Sequence, residues 1–207
     1  MSHATTTGRA LSTGDRFGLM FMMIAGAALT VGTVVAAVAR IVDVLTAESV
    51  QVLAEFVDTP ALAPIGVDGA DAAVELDTAV LTVSDLPVAS LWSIVIQQVL
   101  MVAAVLIVVV CLLLLSRSVL RDRVFSRTNT RLVTTAGLTA ILGAAAYPFF
   151  GNMAANGAFA ALSDGTFNNV LMSVDIASLL MLGFVAALAS TVFTVGDRLQ
   201  RETEGLV

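Results

Sequence analysis

Four long stretches of this chain carry almost no charge, and no other property limits its fold so tightly. The first runs from Phe17 to Ala39, 23 residues without an ionisable side chain, and is closed by Arg40. The second has its apolar centre from Leu91 to Leu115. The third runs from Leu132 to Phe150, and the fourth from about Val170 to Val195 with one charge, Asp175. A helix rises 1.5 Å per residue, so about 20 apolar residues cross roughly 30 Å of hydrocarbon. Composition agrees: 58% of the 207 residues are hydrophobic and 13% are charged, against about 45–50% and about 25% in soluble domains. The expected fold class is an all-α integral membrane protein, four transmembrane helices in an up-down bundle.

The basic residues give the expected orientation. All ten are Arg, and five of them, Arg117, Arg121, Arg123, Arg127 and Arg131, fall between the second and third spans. Arg9 and Arg16 precede the first span, and Arg198 and Arg201 follow the last. The other two connectors hold none, and Arg40 sits at the far end of the first span. Short cytoplasmic loops collect Lys and Arg during insertion. The expected order is a cytoplasmic tail at 1–16, a span at 17–41, an extracytoplasmic acidic loop at 42–90 and a span at 91–115. A cytoplasmic Arg-rich hairpin at 116–131, a span at 132–150, an extracytoplasmic loop at 151–169, a span at 170–195 and a cytoplasmic tail at 196–207 follow. Trp92, Tyr147, Phe149 and Phe150 then fall at the outer interface, where aromatic rings gather. Basic residues that are all Arg, with abundant Ala, Val and Leu, suggest a GC-rich bacterial genome and hence the inner (plasma) membrane. Ala37-Val38-Ala39 has the form of a signal-peptidase site. A signal core is about 7–15 residues, shorter than this run, so the first span is expected to remain.

Within the outer loop, Ala73 to Asp85 is rich in β-branched residues and partly alternates, while Pro60, Pro64, Gly66 and Gly69 before it signal turns. A small β-hairpin capping the helices is expected there. Pro148 is expected to end the third helix, because proline lacks the N–H that a helix interior needs. Ser126 is placed to cap the helix that starts at Arg127. Ala136, Ala140 and Ala144 form a ridge of small residues, with Gly137 and Gly143 beside it, and Gly26, Ala28 and Gly32 act similarly on the first span. Such ridges let helices approach closely, within one chain or in a homo-oligomer.

Few residues carry chemistry. The one His, His3, lies in the N-terminal tail, and the one Cys, Cys111, lies inside a span. A Ser-His-Asp triad, a His-based metal centre and an internal disulfide are therefore excluded. Asp68, Asp71, Glu75 and Asp77 in the acidic loop do not match a calcium-loop pattern. Met20, Met22 and Met23 read as flexible apolar filler. No cofactor and no direct nucleic-acid contact is expected. The polar groups in the outer membrane half are Arg40, Gln97, Gln98 and Asp175. An Arg40–Asp175 pair would make a polar site; headgroup-level snorkelling of both is the simpler expectation. Gln97 and Gln98 are expected to hydrogen-bond a neighbouring helix. The connector arginines suit anionic lipid headgroups or a cytoplasmic partner.

Two stretches, "VFSRTNTRLVTTAGLTAIL" and "FTVGDRLQRETEGLV", resemble the bacterial membrane family catalogued as domain of unknown function 2975. The shared pattern is Phe125, Ser126 and Asn129 opening the third helix, then Gly196, Leu199, Glu202, Glu204, Gly205, Leu206 and Val207. Glu202 stands where Asp is commoner. The resemblance implies four spans and no assigned activity. Because genes of this family often lie beside a small helix-turn-helix regulator, it also implies such a regulator as partner. The expected function is thus a non-enzymatic sensor or regulatory partner acting through the Arg-rich face, the alternative being an accessory subunit of a transporter or channel. The orientation is testable in a Cys111→Ala background. A cysteine placed at Asp71 should react with a membrane-impermeant maleimide in intact cells, and one placed at Arg121 only after permeabilisation.

Overall fold

The computed structural model describes residues 13–121, 124–167 and 174–204. Helix α1 spans Thr13–Thr46, strand β1 Val50–Ala63, strand β2 Ala72–Val83, α2 Val88–Val119, α3 Arg127–Ser163 and α4 Ile176–Glu204. All four helices are long and apolar enough to cross a membrane, the qualifying stretches being Met20–Thr46, Val88–Val119, Arg127–Ser163 and Ile176–Glu202. At 37 residues, α3 is about 55 Å long. It therefore reaches well past a hydrocarbon core of about 30 Å.

Neighbouring helices run antiparallel. Gly26 of α1 faces Val109 of α2, and Arg40 near the end of α1 shares a cavity with Ile94 near the start of α2. Between α2 and α3, Ala104 meets Gly143 and Ser90 meets Gly157. Between α3 and α4, Gly137 meets Ala186, and Thr134 Oγ1 lies 3.2 Å from Ser190 Oγ. The up-down order expected from sequence holds. Within that order the helices form a row, α1–α2–α3–α4, with no extensive α1–α4 or α2–α4 packing among the described residues. The ridge of small residues divides accordingly, Gly137 serving α4 and Gly143 serving α2. Large apolar side chains cover the free faces, Met181 and Phe184 of α4 among them. Burial inside the protein is not what makes these faces favourable; an apolar surround would be.

The buried core lies at one end, under the β-hairpin. Val44 of α1, Val50, Val52 and Ala54 of β1, Val83 of β2, Ile94 of α2, and Ala154, Ala158 and Phe159 of α3 form one cluster. The alternation of β1 explains its share, because residues two apart point to one face: Val50, Val52 and Ala54 are buried while Gln51 and Leu53 are exposed. Phe56 meets Phe159 edge to face, ring centroids 5.0 Å apart. The two strands pair antiparallel from Val50↔Val83 to Ala63↔Ala72, with a bulge between Glu55 and Thr59 where Asp58 adopts a positive φ of 45°.

Two sequence expectations change. The hairpin is longer than expected, because β1 covers Phe56 to Pro60, which had read as turn. In a two-stranded sheet each strand has a free edge, and there a proline costs no ladder bond. The turn signals that act are Pro64, Gly66 and Gly69, between the strands. Second, α3 does not end at Pro148 but runs on to Ser163, so most of the expected loop 151–169 is helix. One missing N–H is a bounded loss. The segment beyond it offsets the loss by burying Ala154, Ala155, Ala158 and Phe159. The real stop is Asp164, left-handed at φ 50°, followed by Gly165 at φ 74°.

Close approach of α2 and α3 depends on Gly157, where a Cβ would overlap Ser90 Oγ and stand 2.8 Å from Ser90 Cβ. Gly157→Ala is expected to destabilise by about 1–3 kcal/mol. Adding Ser90→Gly should restore most of the loss, whereas Gly32→Ala, with nothing within 4 Å, should cost nothing. Denaturant titration in detergent measures all three.

Candidate functional site

The first turns of α2 bring a polar stripe into an apolar interface. Ser90, Ser93 and Gln97 are all buried and lie close to one helix face. The serine closes on its own helix, Ser93 Oγ donating to Ser90 O at 2.7 Å. Gln97 crosses to the next: its Nε2 donates to the Tyr147 carbonyl at 2.7 Å. This bond fulfils the interhelical role expected of Gln97. It is possible because residue 151 is glycine, where a Cβ would stand 2.8 Å from Nε2.

Beside this bond lies a cavity of about 290 Å³. Four elements line it: Arg40 of α1, Glu55 of β1, Gln97 and Gln98 of α2, and Asn152 of α3 supply polar groups. Val52, Ile94, Pro148 and Ala154 give apolar wall. Arg40 is held by two bonds, Nη1 to Asp43 Oδ2 at 2.9 Å and Nη2 to the Gln51 carbonyl, which fasten the end of α1 to β1. A second cavity, about 580 Å³, opens between α3 and α4 against Ala144, Leu179, Leu182, Asp175 and Ser178. Glu55 and Pro148 border both.

Three of the four polar groups singled out in the sequence therefore meet, Arg40, Gln97 and Gln98, while Asp175 lies across Pro148 in the second cavity. The Arg40–Asp175 pair does not form. Arg40 pairs within its own helix, and Asp175 caps α4, accepting from Ser178 N at 3.0 Å and from Ser178 Oγ. The Ser178 hydroxyl, then its backbone N–H and that of Ala177, hold the Asp175 carboxyl below the ordinary aspartate value of 3.8 against a smaller opposing effect of desolvation. Glu55 and Asn152 were not legible as site residues. One read as a member of an acidic loop, the other as part of the loop after Pro148.

At the opposite end Ser126 caps α3 as expected, its Oγ accepting from Asn129 N at 3.2 Å. Asn129 is fully buried, and its Nδ2 donates to Val124 O at 2.9 Å. Phe125 packs on Phe193 at 5.8 Å between ring centroids and lies over Gly196, where a Cβ would overlap the ring. Leu199 lines the same groove as Phe125 and Gly196. The two motif segments, distant in sequence, thus meet in space. Arg117 and Arg121 precede the Phe125 segment in the chain, Arg127 and Arg131 follow it, and all four are exposed. Arg123, Gly205, and Asn168 and Asn169 before α4 lie outside the described residues.

A family model described as "Protein of unknown function (DUF2975)" matches residues 72–207. The chain belongs to this family. The match takes in both motif segments of the DUF2975 pattern together with Gln97, Gln98 and Asn152; Arg40 and Glu55 precede it. No curated protein and no solved structure matches the chain.

By NMR, the Asp175 carboxyl should titrate below 3.8, and Ser178→Ala should raise its midpoint. The cap is a depressed carboxylate, so its contribution to stability is present above the ordinary aspartate value and is lost as pH falls through the folded value.

Proposed function

We propose that this DUF2975 protein is a non-enzymatic sensor or regulatory partner in a bacterial plasma membrane, with both termini and the Arg-rich connector in the cytoplasm. One observation carries the reading. The antiparallel pair α2–α3, the most extensively packed helix pair, has the polar cavity at one end and the exposed arginines at the other. A ligand that changes how Gln97 sits against Tyr147 and Gly151 acts on both helices of that pair. The described end of the connector is anchored: the Ser126 cap holds the start of α3 and the Phe125 ring packs on α4, so a shift of either helix reaches the arginine surface. The segregation of arginines supports the orientation. The partner the family resemblance implies is a helix-turn-helix regulator, and four exposed guanidinium groups suit an acidic face on such a protein.

A second reading, an accessory subunit of a transporter or channel, is favoured by the open row. Among the described residues α1 packs extensively on α2 and α4 on α3 alone, leaving apolar faces on which another membrane chain fits.

The test is capture from native membranes through a C-terminal tag, comparing wild type with an Arg117→Ala, Arg121→Ala, Arg123→Ala variant. Wild type is expected to retain a DNA-binding regulator that the variant loses. Equal capture by both removes the arginine face from the proposal. Capture of transporter subunits by wild type and variant alike, with substrate flux in liposomes, establishes the second reading instead.

A further inference from the structure

The cavity beside Gln97 is built to be filled. Gln97 is nine-tenths buried, and among the described residues its side chain makes one hydrogen bond, the Nε2 bond to Tyr147. An amide offers two N–H donors and a carbonyl acceptor, so an N–H and the oxygen are unspent. Gln98, half-buried on the same wall, makes no hydrogen bond within the described residues. These unspent groups line the wall of a partly open cavity, where a polar ligand can meet them. The charges are mixed: Arg40 keeps N–H groups beyond those given to Asp43 and Gln51, and Glu55 adds a carboxylate. At about 290 Å³ the space lies at the lower edge of the ~300–1,000 Å³ usual for small-molecule sites. That is room for a polar head rather than for a whole lipid. Its position is the level where the hairpin core gives way to the long apolar faces of the helices.

We propose that this cavity binds an aminoalkyl phosphate, with the phosphate on Arg40 and the glutamine N–H groups, and the ammonium on Glu55 and the amide oxygens. The proposal rests on the sensing role given above and names its ligand. The same chemistry comes from two sources, the headgroup of an ethanolamine lipid or free phosphoethanolamine. A guanidinium suits phosphate through charge-assisted, directional donors. The carboxylate then selects an amine head over a neutral glycerol head. Glu55 and Arg40 both precede the stretch matched by the family model, whereas the glutamines lie inside it. Headgroup preference is therefore a property set by this chain's own α1 and β1.

The experiment uses the full chain in nanodiscs containing phosphatidylethanolamine, phosphatidylglycerol and phosphatidylcholine in equal amounts, read by native mass spectrometry. In parallel, lipid-stripped protein in detergent is titrated with O-phosphoethanolamine. Wild type should retain the ethanolamine lipid over the glycerol lipid by roughly tenfold, which corresponds to about 1.4 kcal/mol. Glu55→Gln should abolish that preference, and Gln98→Ala should weaken retention of the head. Saturable binding of O-phosphoethanolamine with the same Glu55 dependence identifies the free compound as a ligand; binding confined to the nanodisc identifies the lipid. Equal retention of all three lipids together with no phosphoethanolamine binding overturns the proposal, since water alone then fills the space. A preference unchanged by Glu55→Gln and Gln98→Ala in variants that melt like wild type also overturns it. Neither result touches regulator capture at the arginine face, which is measured without added ligand.

Discussion

The hairpin end depends on α3 continuing as a helix beyond Pro148. The residues after the proline form the floor on which the β-hairpin rests, through Ala154, Ala155, Ala158 and Phe159. Without that floor Val50, Val52 and Ala54 lose the α3 side of their cluster, and a lone two-stranded hairpin is marginal in water. The same continuation brings Gly151 under Gln97 and Asn152 to the cavity. A proline in a helix interior is ordinarily read as a loss. Here the loss is one backbone bond, set against a cluster that draws on both strands and three helices.

Hairpin end and row are packed in two different ways, as two different solvents would require. The cluster under the hairpin is packed as in a soluble domain, with alternating strand residues and an edge-to-face aromatic pair. Below it the helices touch along narrow seams of Gly, Ala, Ser and Thr and leave their larger side chains outward. In hydrocarbon there is no gain from hiding leucine from lipid, so close backbone approach takes over as the cohesive term. The cavity sits where one kind of packing meets the other, with polar side chains from four elements on its wall.

Much of this was legible in the sequence, and what was not has physical causes. Uncharged length is a strong signal, and four helices long and apolar enough to cross a membrane overlap the four uncharged runs. The Ser126 cap was also readable, because its effect is local. Pro148 misled because a local penalty was weighed without the tertiary packing beyond it. Pro60 misled in the same way, through an edge position that no local pattern reveals. The Arg40–Asp175 pair, which the sequence offered beside the simpler snorkelling of both, does not form because Asp43, one helical turn on, is the nearer partner. Glu55 was hidden by its setting in a loop of like charge, and only the pairing of β1 with β2 brings it to the cavity. Helix number gave the up-down order, whereas which helix touches which is set by seam residues such as Gly137 and Gly143.

The row also orders events during synthesis. Every residue lining the smaller cavity lies between Arg40 and Ala154, so the site is complete in covalent terms before α4 has left the ribosome. The last helix packs on α3 along one seam, at whose far end Phe125 lies over Gly196. A nascent chain can thus gather its binding site first and close its connector to α4 last.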